Sequence, residues 1–398
     1  MSEIQLFTEK KDCCACGACL NICPRNAISF QNDEYGFAYP HINRELCIKC
    51  GLCKKVCNYQ KAEAGNYMVG NSYVALTNNT DLMESTSGGV FASIAKSFLK
   101  DGGCVYGATM EYVNGELVVH HIGVYEEKDL PRLLGSKYVQ SNTENIFKSV
   151  KNDLNSGKKV LFCGTPCQVD GLRGYLGEKY QNLLLIDLVC HGVPGQKIFV
   201  DFIKNLEKRQ KIVHFRFRDK NSIVGYTGKI FFENGKEKFL YRTENSYTDY
   251  FLKGYIQREN CYSCKYASDC RPGDMTIGDF WGIQKEHPEL MKINGGMIDP
   301  QNGVSCLIVN TEIGKSYLEK YKKGLKLWKS EFSKIAANNE QLNMPSKLNR
   351  LKRESILQKY RTGGYKAVEH DFRKEKGIKF YFIKLKNRLR SLKRKMGL

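Results

Sequence analysis

Cys13, Cys16, Cys19 and Cys23 are spaced C-x2-C-x2-C-x3-C, with Pro24 behind them. Cys47, Cys50, Cys53 and Cys57 repeat the spacing, with Asn58 in the place of the proline. Four thiolates converging on four iron corners are what a [4Fe–4S] cubane requires. The x2 gaps wrap a short loop around one cube, and the fourth cysteine, at the start of a helical turn, points towards another. Zinc sites also use C-x2-C pairs, but they separate two pairs by a longer span.

The doubled run resembles bacterial two-cluster ferredoxins, in which three cysteines of a run hold one cluster and the fourth crosses to the other. The resemblance implies Cys13, Cys16, Cys19 and Cys57 on one cluster and Cys47, Cys50, Cys53 and Cys23 on the second. Gly17 and Gly51 take matching places in the two loops, where backbone must approach closely without a Cβ. Cys14 fits neither set and reads as a bystander.

The remaining composition bounds the class. A chain of 398 residues has room for two or three domains, and 11% aromatic residues support a substantial core. No segment reaches the length of uninterrupted apolar sequence that a membrane span needs. The start, MSEIQLFTEKKD, has no apolar signal-peptide region, so clustered cysteines read as metal ligands in a reducing cytoplasm. Residues 372–398 hold eleven Lys or Arg and one acidic residue, Glu375, which is half of the net charge of +20.

These residues need elements to position them. Residues 1–62 read as a ferredoxin-type module, with a hairpin from Ala27 to Ile42 turning at Asn32–Gly36. Lys61–Met68 reads as a linker. Residues 70–345 read as a mixed α/β domain. In it Ser72–Thr77 is a strand, Glu84–Gly89 a turn, Val90–Lys100 a helix by its apolar period, and Val105–Met110 a strand. Lys158–Cys163, Cys167–Gly177 and Asn182–Cys190 form a strand–helix–strand unit, so its strands are parallel. Their C-terminal ends share one sheet edge, the ligand edge of open α/β sheets, with Cys167 and Cys190 just beyond them.

Cys261 and Cys264 form a further C-x2-C that needs two thiolates from elsewhere. Cys167 and Cys190 are candidates, with Cys163 and Cys270 as rivals. Cys104 and Cys306 lie in apolar strand-like segments and read as buried free thiols. Ser87-Gly88-Gly89 before a helix places N–H groups and a hydroxyl where a pyrophosphate would sit. Lys137 could neutralise a phosphate or a reduced flavin. His191 reads first as a structural histidine and second as a proton relay.

The segments STSGGVFASIA (85–95), LLGSKYVQS (133–141), LFCGTPCQVDGLR (161–173), LVCHGVP (188–194) and CYSCKYASDCRPGDMTIGDFWG (261–282) together resemble the family of coenzyme F420 hydrogenase/dehydrogenase β-subunits. The resemblance implies a flavin-binding mixed α/β domain with FAD beside a [4Fe–4S] cluster. It implies Cys167, Cys190, Cys261 and Cys264 as that cluster's ligands. It also implies FAD-facing segments at Ser87, Gly88, Gly89, at Gly135, Ser136, Lys137, Tyr138, and at Gly164, Thr165, Pro166.

Three [4Fe–4S] clusters leading to FAD would convert between one-electron carriers and two-electron organic chemistry. The expected function is an iron–sulfur flavoprotein oxidoreductase fed by a ferredoxin or similar donor and acting on an organic substrate. The alternatives are a relay subunit exchanging electrons with coenzyme F420 for a hydrogenase or dehydrogenase, and a zinc-bound scaffold at a membrane. Residues 346–398 read as a basic helical tail. In it Phe382, Leu385, Leu389, Leu392 and Met396 make an apolar stripe, either docked on the body or laid on an anionic inner membrane face. No nucleic-acid fold accompanies the tail, so no nucleic acid is expected.

Overall fold

The computed structural model of the chain describes residues 3–61, 70–78, 85–177, 180–207, 210–220 and 226–395, the side chains of 388 and 390–395 excepted. The expected linker from Ala62 to Met68 and residue Glu84 of the expected turn lie outside these.

The N-terminal module holds the hairpin of β1 (Ile28–Asn32) and β2 (Ala38–Ile42), paired antiparallel from Ile28–Ile42 to Asn32–Ala38. Two short helices, Ala18–Ile22 and Leu52–Lys55, follow Gly17 and Gly51. Both glycines are left-handed, with φ of 88° and 75°, a conformation that costs other residues more. A Cβ at Gly51 would meet nothing within 4 Å, so there backbone handedness rather than close approach is the reason for glycine. Cys23 ends the first helix, whereas the sequence placed it at the start of a helical turn.

The large domain is built on one eight-stranded mixed sheet. Its strands are β3 (Ser72–Thr77), β4 (Cys104–Val113), β5 (Glu116–Val124), β6 (Val160–Gly164), β7 (Leu183–Leu188), β11 (Met275–Asp279), β12 (Ser305–Val309) and β13 (Leu325–Ser330). A separate three-stranded sheet holds β8 (Ile212–Arg216), β9 (Thr227–Phe232) and β10 (Glu237–Tyr241). The large sheet runs β13-β3-β12-β11-β7-β6-β4-β5. Its centre, β4-β6-β7-β11, is parallel, and antiparallel strands flank it on both sides. β6 and β7 are buried along nearly all their length, as strands covered on both faces must be. The helix Pro166–Leu176 between them starts at Thr165 with a capping box to Gln168, which fixes where Cys167 sits.

The C-terminal stretch is helical as expected, but its first half is not a tail. One helical run covers Arg350–Lys395 and kinks at Gly364 and Gly377. Ile356, Leu357, Tyr360, Tyr365, Val368, Phe372 and Phe380 are buried in the same core as Phe199, Phe202, Phe215 and Tyr247. The expected stripe lies on the other side: Phe382, Leu385 and Leu389 are exposed. The side chain of Leu392, and Met396, lie outside the description.

Candidate functional site

The cysteines gather in three places. Cys23, Cys47, Cys50 and Cys53 line one small apolar cavity with Ile28, Ile42 and Leu52. Cys13, Cys16, Cys19 and Cys57 interact with one another electrostatically: the Cys19 thiol is pushed well up by burial and then by Cys16, Cys13 and Cys57. The Cys53 thiol is raised by burial and by the charges of Cys50 and Cys23. Cys57 therefore lies with the first run and Cys23 with the second, the crossed arrangement.

Cys167, Cys190, Cys261 and Cys264 line a further cavity with Thr165, Pro166 and Arg258. β7 delivers Cys190, and the first turn of Pro166–Leu176 delivers Cys167. Cys261 lies in the short turn Glu259–Ser263, and Cys264 closes that turn. A buried ion pair holds this loop to the sheet: Arg271 donates to Asp187 of β7 at 2.7 Å and to the Leu188 carbonyl at 2.7 Å. Burial, then repulsion from neighbouring thiols, pushes Cys261 up to about 12 and Cys264 up to about 11. Burial raises Cys104, Cys163 and Cys306 in the same way, so it is the shared cavity and not the raised thiols that sets these four apart. Among the described residues no three His, Cys, Asp or Glu converge as a single ion would require. The four thiols share one cavity wall.

Cys14 is not a bystander in position. It is 3% exposed, lines the cavity of Cys167 and Cys190, and its thiol is pushed up by the neighbouring thiols of Cys16 and Cys167. The adjacent Cys14 thiol, and then the Thr165 hydroxyl 3.2 Å away, draw Cys167 down. Cys163 and Cys270, the rival ligands, do not line this cavity. Cys104 and Cys306 are buried within their strands, as read from the sequence.

The module is docked on the domain that carries the third thiol set. Thr143 Oγ1 donates to the Cys16 carbonyl at 2.8 Å, and Gln140 Nε2 to the Cys14 carbonyl at 3.0 Å. Asn58 Nδ2 donates to Asp170 Oδ1 at 3.1 Å, and Tyr266 Oη to Asp170 Oδ2 at 2.5 Å. Gly171 lets the helix Pro166–Leu176 pass against Cys16: a Cβ there would lie 2.6 Å from the Cys16 Sγ.

A cavity of about 600 Å³ opens beyond the sheet edge. It shares Thr165, Cys190, Gly192 and Val193 with the third thiol cavity. Of the expected FAD-facing residues, Ser87, Gly89, Gly135, Ser136, Lys137, Tyr138, Gly164 and Thr165 line it. Gly88 instead packs under β12, its N–H donating to Ser305 Oγ at 2.8 Å, and Pro166 faces the thiols. The Ser87 hydroxyl donates to the Val304 carbonyl at 2.8 Å rather than being held ready for a ligand. Gly89 and the first turn of Val90–Lys100 open on the cavity, so unpaired helix N–H groups are available there.

Lys137 Nζ donates to the carbonyls of Leu133 and Leu134 at 2.9 and 2.8 Å, and lost hydration pulls it down to about 7. His191 bonds the Leu252 carbonyl at 3.1 Å, the structural role. Sequence reading missed His121. It is buried on the cavity wall, bonds the Cys163 carbonyl through Nε2 at 3.2 Å, and has no partner for Nδ1. Burial lowers it to about 4, so the ring is neutral. Ser85 Oγ on the same wall is also unpartnered. Two orphaned polar atoms on one wall suit a polar ligand. At the mouth, Arg218 pairs with Asp279 at 2.5 and 3.1 Å and lies over the rings of Tyr226 and Trp281. No local pattern marks these residues in the sequence.

Comparison with known proteins matches two segments of the chain. Residues 157–334 match the family described as the C terminus of the coenzyme F420 hydrogenase/dehydrogenase beta subunit, and residues 12–61 match the 4Fe-4S dicluster domain. The chain is 24% identical over 359 residues to a coenzyme F420-dependent sulfite reductase of Methanocaldococcus jannaschii, covering 82% of this chain and 51% of that protein. It is 25% identical over 215 residues to the F subunit of the F(420)H(2) dehydrogenase of Methanosarcina mazei, covering 48% of this chain and 58% of that one. The chain thus spans about half the length of the curated relatives it matches. A solved chain of the F420-reducing [NiFe] hydrogenase complex from Methanosarcina barkeri aligns with TM-score 0.43 and 15% identity, over 79% of this chain and 95% of that chain. Two segments are thus matched in this order: residues 12–61 carry a 4Fe-4S dicluster domain, and residues 157–334 carry a domain like the C terminus of coenzyme F420 hydrogenase/dehydrogenase beta subunits.

Proposed function

We propose that this chain carries electrons between a one-electron donor, a ferredoxin or similar protein, and an organic two-electron substrate, through three [4Fe–4S] clusters and one FAD. One observation carries the reading: the cavity of Cys167, Cys190, Cys261 and Cys264 has the N-terminal thiols on one side and shares a wall with the 600 Å³ cavity on the other. That volume falls in the ~300–1,000 Å³ range of pockets that bury a cofactor-sized molecule. Bound flavin accepts one or two electrons, which clusters cannot do singly. In this chain the N-terminus of Val90–Lys100 would receive the pyrophosphate. Lys137 would place positive charge on the same wall, and neutral His121 would offer Nδ1 to the ligand. Thr165 and Cys190 would separate flavin from the third cluster by one layer of protein.

The test is anaerobic purification followed by iron, sulfide and flavin analysis of one sample. Twelve iron, twelve sulfide and one FAD per chain are expected from the twelve cysteines in three sets. Stoichiometric zinc without acid-labile sulfide would instead support the scaffold reading and end this one. A second reading, exchange of electrons with coenzyme F420 for a hydrogenase or dehydrogenase partner, draws on what the two curated relatives are named for. Reduction of F420 by the isolated, reduced chain separates it from the first.

A further inference from the structure

Two arginines among the described residues are wholly buried, and they differ in one respect. Arg271 faces the carboxylate of Asp187 at 2.7 Å. Arg258, 0% exposed, faces none. Its Nη1 donates to the Ala38 carbonyl at 2.8 Å and to Gln140 Oε1 at 2.9 Å, its Nη2 to the Cys13 carbonyl at 3.2 Å, and its Nε to Asn260 Oδ1 at 3.3 Å. All four acceptors are neutral. The guanidinium lies 4.4 Å from the centroid of the Tyr39 ring, and among the described residues no carboxylate pairs with it.

A guanidinium keeps its proton, so its charge must be balanced where it stands. The groups within reach that could carry negative charge are cysteine thiols, once a cluster holds them. Arg258 lines the cavity of Cys167, Cys190, Cys261 and Cys264 and bonds the backbone of Cys13 in the adjacent set. It does not line the cavity of Cys23, Cys47, Cys50 and Cys53.

We infer that Arg258 is a built-in counter-charge shared by two of the three clusters, the Cys13/Cys16/Cys19/Cys57 cluster and the Cys167/Cys190/Cys261/Cys264 cluster, and that it makes both easier to reduce. The inference rests on the cluster reading above. Reduction adds one electron, and one negative charge, to a cluster. A fixed positive charge nearby in a poorly polarisable interior favours that form. The outer cluster of Cys23, Cys47, Cys50 and Cys53 lacks this neighbour.

The test is an EPR-monitored redox titration, with dithionite as reductant, of the full-length cluster-loaded protein and its Arg258→Met, Arg258→Gln and Arg258→Lys variants. In Met and Gln the two flanking clusters should shift negative. At a fixed potential their reduced-to-oxidised ratio should fall about tenfold, which is about 59 mV for one electron. The outer cluster should shift less, and Lys should retain most of the wild-type potential. Unchanged flanking potentials in a loaded neutral variant overturn the inference. So does a Lys variant that shifts as far as Met, because packing and not charge would then be responsible. If the neutral variants take up no iron while Lys loads fully, the Lys potentials decide: flanking potentials near wild type uphold the inference, and flanking potentials shifted about tenfold in ratio overturn it. If all three fail to load, Arg258 serves packing and the inference falls. Absence of iron from the wild type would refute the cluster reading itself, a distinguishable result.

Discussion

A single atom decides some of this architecture. At Gly171 the missing Cβ is what admits the Cys16 sulfur, 2.6 Å from where that Cβ would lie. Gly171→Ala should push the helix Pro166–Leu176 and the first loop apart, at about 1–3 kcal/mol as for other overpacked sites. The expected readouts are a lower urea midpoint and loss of roughly one cluster's iron; full iron with an unchanged midpoint would show that the loop yields without cost. Lys137 makes a pH prediction. With its pKa lowered to about 7 in the ligand-free cavity, it is cationic below that pH and neutral above it. A phosphate-bearing ligand that prefers the cation should bind more weakly as pH rises through 7, by up to about tenfold per unit. Flavin titrations from pH 6 to 8 check this, and Lys137→Met should flatten the profile at the weak-binding level.

At the scale of elements, the loop from Cys261 to Arg271 has little regular structure of its own and is set by the strand beside it. Asp187 on β7 accepts from Arg271 and from the Gly273 N–H at 2.8 Å, so one carboxylate fixes the C-terminal end of the loop against the strand that ends near Cys190. Asp187→Asn should leave the buried arginine without its counter-ion. Breaking such a pair from one side costs about 3–5 kcal/mol. The variant should unfold at lower urea and lose the iron of the third set first, which EPR can distinguish from loss at the N-terminal sets. Equal loss at all three would mean that the ion pair supports the whole molecule rather than this loop.

The legibility of the elements varied with their locality. The strand Ser72–Thr77 and the helix Val90–Lys100 have the bounds read from the sequence, because each is a short continuous segment whose apolar residues pack into the core. The strand–helix–strand unit is present with ends shifted from those expected, at Val160–Gly164, Pro166–Leu176 and Leu183–Leu188, and its parallel pairing follows from its crossover helix. The turn at Ser87 was legible as a turn but not in its chemistry. Its hydroxyl goes to Val304, more than two hundred residues away, and local pattern carries no sign of that.

At the scale of the molecule, the C-terminal helical run divides into a half that builds the core and a half that does not. Phe372→Ala should cost about 3–5 kcal/mol, as for other large core aromatics, and a chain ending at Asn349 should fail to fold, since Ile356 to Phe380 complete a core shared with Phe199 and Tyr247. Beyond Phe380 the exposed Phe382, Leu385 and Leu389 lie in the segment with half the net charge. No helix among the described residues is long and apolar enough to cross a membrane. A basic amphipathic segment of this kind should bind anionic vesicles in low salt and release them as salt screens its charge. Replacing the three apolar residues with Ser should abolish binding while iron content and urea midpoint stay unchanged. If the wild type ignores such vesicles, the surface has another use.

The sequence by itself determined the ligand chemistry and its local scaffolding. Thiol spacing, glycines at left-handed positions and apolar periods are properties of short segments, and these constrain backbone directly. Only the tertiary structure decided what lies between those segments. It put Cys14 against Cys167 from the far end of the chain's first half, left Arg258 without an acid, orphaned His121 Nδ1 on a cavity wall, and turned the first half of an apparent tail into core. Each of these depends on how the module, the sheet edge and the last helix dock. Docking is set by packing and charge balance over the whole molecule, which no short stretch of sequence encodes.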